Sequence, residues 1–156
     1  MIDIISQLRA ALEHNLSRPA KARLLAETLR EGRNYRWVGL YDVGPAEITA
    51  IAWTGSESPA FPSFPITQGL NGAAAASGKP VIVQDVSQDP RWLTTFGSTR
   101  AEAIFPVMGV GGKVVGTIDV ESDWIGAFGP DDEALLDEAA RVLRTFWTHP
   151  PTGGSA

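Results

Sequence analysis

Two hydrophobic periods alternate along the chain. Ile4, Ile5, Leu8, Ala11 and Leu12 recur at helical spacing and Asp3 can cap them, so a helix is predicted from about 3 to 15. Ser17-Arg18-Pro19 interrupts it. A second helix is predicted from about 19 to 31, with Pro19 in its first turn, Leu24, Leu25 and Leu29 on one side, and Gly32 as its stop. From Tyr35 to Val43 the period falls to that of a strand, which sets Trp37, Gly39 and Tyr41 on one face and Val38, Leu40 and Val43 towards the other. Gly44-Pro45-Ala46-Glu47 then turns the chain into a second strand, Ile48 to Trp53, completing an antiparallel hairpin.

Residues 54–68, rich in Ser, Pro and Phe, read as a loop. Gly69 to Gly78 reads as a short helix bracketed by glycines, its four alanines permitting close approach by a neighbour. A short strand from Pro80 to Val83 leads to Asp89-Pro90-Arg91-Trp92, where the proline suits the start of another helical turn, and then to a loop ending near Arg100. Ala103 to Val110 and Lys113 to Ser122 are β-branched apolar runs joined by Gly111-Gly112, a pair that tolerates the positive φ of a tight hairpin. Pro130 with Asp131, Asp132 and Glu133 suits the positive end of a last helix carrying Leu135, Leu136, Ala139, Val142, Leu143 and Phe146. One domain is expected over residues 1–149, with a disordered tail over 150–156.

Composition narrows the function. The net charge of -5 and the lack of any Lys/Arg cluster argue against a nucleic-acid partner. The segment after Met1 is polar and amphipathic, and no stretch reaches the roughly 18 to 20 apolar residues that cross a bilayer, so a cytoplasmic protein without a membrane partner is expected. With 0 cysteines, thiol catalysis, disulfides and thiolate metal sites all fall away. His14 and His149 are too scattered to suggest a metal site and read as exposed, so neither metal nor cofactor is expected.

The order helix, helix, hairpin, small-residue helix, strand, loop, hairpin, long helix resembles the GAF (PAS-like) fold. The class implied is α+β, a central antiparallel sheet of about six strands flanked by helices. Gly69-Leu-Asn-Gly-Ala-Ala-Ala-Ala-Ser-Gly-Lys-Pro80 with Val83-Gln-Asp-Val86 and Asp89-Pro-Arg91, and Val115-Gly-Thr-Ile-Asp-Val-Glu-Ser122 leading to Phe128-Gly-Pro-Asp-Asp-Glu-Ala-Leu-Leu136, look like GAF motifs. Within that fold, Arg36-Trp-Val-Gly-Leu-Tyr41, Ala101-Glu102 and Gly116-Thr-Ile-Asp-Val-Glu-Ser122 resemble the free methionine-(R)-sulfoxide reductases over roughly residues 20–147. The positions that the resemblance assigns to that family's redox cysteines hold Phe61, Asn71 and Thr95. The thiolate, sulfenic acid and disulfide steps of such a reductase therefore have no sulfur here, and an unactivated threonine hydroxyl is a far weaker nucleophile.

Asp119 and Glu121 stand two apart on a predicted strand and so share a face, opposite Ile118 and Val120. With Glu102 they could receive a ligand ammonium beside an apolar or cation-π wall of Trp37 and Tyr41, and the amides opening the Gly69 to Gly72 turn could hold a ligand carboxylate. The ligand-binding set is thus Trp37, Tyr41, Glu102, Asp119, Glu121, Asn71 and Thr95, with no catalytic residue assigned. The competing reading of these acids is a solvated sheet face that needs no ligand. Trp92 and Phe96 read as packing residues, Arg91 and Arg100 as surface charges. Two functions remain open: a non-catalytic binding or sensory domain for a small cationic or zwitterionic molecule, dimerising through its terminal helices, or an enzyme using the carboxyls as acid and base. Covalent bilin attachment is excluded by the missing cysteine, and the sequence lacks the signature of a cyclic-nucleotide GAF domain.

Overall fold

A computed structural model describes residues 3–92 and 97–148. Helices α1 (Ile4–Leu12) and α2 (Arg18–Arg33) are followed by strands β1 (Trp37–Val43), β2 (Glu47–Thr54) and β3 (Ser63–Pro65). Helix α3 (Gly69–Ser77) and β4 (Val81–Val83) precede β5 (Ala101–Met108), β6 (Val114–Ser122), α4 (Pro130–Val142) and α5 (Arg144–Thr148). The strands form one antiparallel sheet in the order β3-β2-β1-β6-β5-β4. This is the α+β architecture expected from the pattern.

Strand alternation divides the core. Val38, Leu40, Ala103, Phe105, Ile118 and Val120 turn to one face, where they meet Ile5 and Leu8 of α1, Leu25 and Leu29 of α2, and Leu136 and Ala139 of α4. The apolar stripes of the terminal helices pack into the domain's own core. Trp37, Tyr41, Ile48 and Phe64 gather on the other face, and Leu70 and Ala74 of α3 pack there with Val81, Val83 and Ile104. Val43 joins this second face, against expectation: it shares the parity of Trp37 and Tyr41, and β1 runs straight through to its end.

Several boundaries differ from expectation, each for a local reason. Gly32 does not stop α2; a Cβ there would lie 2.8 Å from Ile4 Cγ1, so the glycine admits α1 against α2. The helix ends instead at Asn34, whose φ of 56° is the left-handed cap. Strand β3 lies inside the expected loop, because Ser63 and Phe64 pair with Thr49 and Ile48 at the edge of the sheet. The helical turn near Pro90 forms earlier, at Val86–Gln88, where the Asp85 carboxylate accepts from the Ser87 amide. Gly111 and Gly112 do take positive φ, both 75°, but within a helical turn Val110–Gly112 closed by Gly109 N–H to Lys113 C=O, not a two-residue link. The last helix breaks at Leu143 into α4 and α5. The expected tail lies outside the described residues.

A buried polar pin ties the first turn of α4 to the end of α2 and to Tyr35 just ahead of β1. Asp132 in the first turn of α4 accepts from Tyr35 Oη at 2.6 Å, from Arg33 Nη2 at 3.0 Å and from the Gly129 amide at 3.0 Å. Burial alone would raise this carboxyl; these donors outweigh it and hold it below its ordinary value.

Candidate functional site

The face of the sheet turned to α3 carries the acids. Register puts Glu121 opposite Trp37 on β1 and opposite Glu102 on β5, while Asp119 faces Gly39 and Ile104. Glu102, Asp119 and Glu121 therefore converge, with one oxygen of each within 4.8 Å of the others. They are 3%, 1% and 0% exposed, which disposes of the solvated-face reading. Helix α3 is the cover: its Asn71 reaches Asp119, and the missing side chain of Gly72 lets the chain entering the helix at Ile66 fold back against it, where a Cβ would fall 2.7 Å from the Ile66 carbonyl oxygen.

Two hydrogen-bonded chains hold the acids from outside. Thr117 Oγ1 donates to Asn71 Oδ1, and Asn71 Nδ2 donates to Asp119 Oδ2 at 3.1 Å. On the other flank Arg36 Nη2 donates to Thr99 Oγ1 at 2.6 Å, and Thr99 Oγ1 donates to Glu121 Oε1 at 2.7 Å. Glu102 shares hydrogen bonds with both other acids. Asp119 Oδ1 and Glu121 Oε2 are buried and have no hydrogen-bond partner among the described residues.

So many carboxyls out of water cannot all be ionised. Burial, reinforced by the negative charges of Asp119 and Glu121, drives Glu102 well above the ordinary glutamate value. Burial likewise pushes Glu121 up to about 8, with the charge of Asp119 adding to it and the Thr99 donor and the positive charge of Arg36 opposing it, and Asp119 to about 6, against Glu102 and Asn71. At neutral pH the cluster holds protons. It can offer an O–H to a ligand oxygen, or release protons to receive a cationic group. Tyr41 beside it is raised well above its usual value, by burial first and then by the three acids.

A small cavity of about 20 Å³ opens against the cluster, lined by Tyr41, Phe61, Phe64, Gly69, Leu70, Asn71, Glu102 and Asp119. That is room for one or two waters. Of the residues expected at a ligand site, Tyr41, Asn71, Glu102 and Asp119 line this cavity, and Glu121 stands behind it as the third acid. Trp37 is fully buried on the same face but does not line it. Its indole lies over Gly39, where a Cβ would come 2.4 Å from the ring, and its Nε1 donates to the Glu57 carbonyl at 3.0 Å. Thr95 and Phe96 lie outside the described residues.

The sequence reading missed Phe64, Leu70, Thr117, Thr99 and Arg36. Thr117 was within reach, since it shares the strand parity of Asp119 and Glu121. Thr99 carries no local signal; only the loop's return beneath β6 brings it to the acids. Arg91, read as a surface charge, is half exposed and paired with Asp89 at 2.6 Å.

The antiparallel sheet thus carries α1, α2 and α4 on one face and, on the other, a buried polar cluster under the short helix α3. Residues 15–145 match the GAF domain, and the chain belongs to that family. Protein YtsP of Bacillus subtilis is 27% identical over 144 residues, 90% of this chain and 86% of YtsP. The type II free methionine-R-sulfoxide reductase of Thermoplasma acidophilum superposes with a TM-score of 0.76 at 27% identity, over 92% of this chain and 94% of that one. The free methionine-R-sulfoxide reductase of Neisseria meningitidis, solved with its substrate, has the same fold, with a TM-score of 0.83 at 24% identity over 93% and 86% of the two chains. The expected GAF domain with reductase neighbours and no cysteine is thus met. Among the described residues no helix is long and apolar enough to cross a membrane.

Proposed function

We propose that this GAF domain is a non-catalytic binding or sensory module whose acid-lined cavity takes a small free amino acid such as methionine sulfoxide. The observation that carries this reading is the convergence of Glu102, Asp119 and Glu121, all buried, on a cavity that Tyr41 and Phe64 close with aromatic rings. Burying such a cluster costs stability that a purely structural site gains nothing from. Bound ligand lies with its polar groups on the acids and its carboxylate at the first turn of α3, where Gly69 to Asn71 line the same space. Because the cavity is small, binding displaces the loop carrying Phe61, which is 45% exposed at the mouth. A cytoplasmic setting, with output through a partner or a second copy, belongs to the same reading.

Reduction of the sulfoxide by thiol chemistry is excluded for this chain, which has 0 cysteines. A second reading, carboxylate acid–base catalysis, is favoured by one observation: Asp119 near 6 and Glu121 near 8 straddle neutrality as a base and an acid should. Calorimetric titration with free methionine-(R)-sulfoxide decides, with methionine and the S epimer as controls and Glu102→Ala as the variant. Stereoselective heat, lost in the variant and without product formation, is the expected result. Absence of heat with every ligand would overturn the choice of ligand, and turnover would favour the enzymatic reading.

A further inference from the structure

The outer edge of the sheet is only partly covered. β4 pairs with β5 at Glu102, Ala103 and Ile104 and no further, so among the described residues the run from Phe105 to Met108 has no strand on that side. Helix α3 has ended by then at Gly78, whose left-handed φ of 68° turns the chain towards Pro80. From the other side α4 and α5 present Asp137, Ala140, Arg141 and Arg144, which stand at the i, i+3, i+4 and i+7 positions of one helical face. Between them lies a groove of about 280 Å³, with Phe105, Pro106 and Met108 as its apolar lining. Ala140 contributes only a methyl group to the wall.

The charge of this groove is one-sided. Arg141 is paired with Asp137 one turn earlier, whereas Arg144 is exposed and makes no ion pair among the described residues. Lys79, exposed between the lining residues Gly78 and Pro80, adds a further cation beside the groove, in a chain whose net charge is -5. An apolar lining with one unspent guanidinium suits a ligand that has an apolar body and a single anionic head, because guanidinium and carboxylate form paired, charge-assisted hydrogen bonds. A cationic ligand meets repulsion, and a neutral one leaves Arg144 without a partner. We propose that this groove is a second ligand site, which takes a small aryl carboxylate with its ring against Phe105 and Met108 and its carboxylate on Arg144. The groove is separate from the acid-lined cavity: the two share no lining residue, and α3 meets the cavity with Gly69 to Asn71 and the groove with Gly78.

The test is a ¹⁵N NMR titration of the whole chain with phenylpropionate, with phenylpropionamide and phenylpropylammonium as the neutral and cationic controls. Saturable shifts with phenylpropionate are expected at the backbone N–H groups of Gly78, Met108 and Arg141, with the neutral control bound about tenfold more weakly and the cation not at all. Arg144→Gln, a change at an exposed side chain, lowers phenylpropionate affinity about tenfold, and Arg144→Lys, which keeps the charge but not the planar fork, falls between the two. Equal affinity for the three probes, or an affinity unchanged in Arg144→Gln, would overturn the proposal. Shifts confined to Asn71, Glu102 and Asp119 would put the anion in the other cavity and overturn it too, as would the absence of any saturable shift. None of these outcomes bears on whether methionine sulfoxide enters the acid-lined cavity.

Discussion

A buried carboxyl that holds its proton into the neutral range makes the fold less stable as pH rises. Glu121 is pushed from an ordinary 4.5 to about 8, by burial first and by Asp119 second. Between those values the native state binds more protons than the unfolded chain, so stability falls with pH. The contribution is fully present below pH 4.5 and lost as pH rises through 8. Integrating the linkage for this one group gives a loss of roughly 2 to 3 kcal/mol between pH 5 and 7, and roughly 3 to 4 kcal/mol between pH 5 and 8. Asp119, raised to about 6, adds loss in the same direction over pH 4 to 6. Asp132 acts in the opposite sense, but only in the acid range below its ordinary value. The perturbation is Glu121→Gln, whose amide oxygen still accepts from Thr99. Urea unfolding of wild type and variant at intervals from pH 5 to 9 gives the two stability profiles. The variant is expected to gain on wild type by roughly 3 to 4 kcal/mol between pH 5 and 8. Parallel profiles would refute the reasoning, because they would mean that Glu121 ionises at its ordinary value.

Two further outcomes follow from packing. Gly39→Ala drives a Cβ to within 2.4 Å of the Trp37 ring and 3.1 Å of the Tyr41 ring, and should cost about 1 to 3 kcal/mol in chemical denaturation with a change in near-ultraviolet circular dichroism; unaltered stability would show that the indole does not rest on that glycine. Tyr35→Phe deletes the hydroxyl at 2.6 Å from Asp132 and should lower stability by about 1 to 2 kcal/mol, the Arg33 and Gly129 donors remaining; a variant as stable as wild type would mean that the pin carries no weight.

Periodicity determined most of the architecture because it reports which side of each strand meets a core. The alternation through Gly116 to Ser122 placed Asp119 and Glu121 together and against Ile118 and Val120, and the structure keeps that division. Alternation could not say whether the polar side of a sheet meets water or a lid. That was decided by α3, which covers this face with Leu70, Asn71 and Ala74 and turned an ordinary acidic face into a buried one. Short and irregular pieces escaped the pattern: β3 is too brief to show a period, and Gly32 serves a helix crossing that only the packing of Ile4 makes visible. The missing thiol chemistry was legible from composition, since no fold can supply an absent sulfur. The chain from Arg36 through Thr99 to Glu121 joins residues distant in sequence, and hydrogen-bond direction acquires meaning only when tertiary structure sets donor against acceptor.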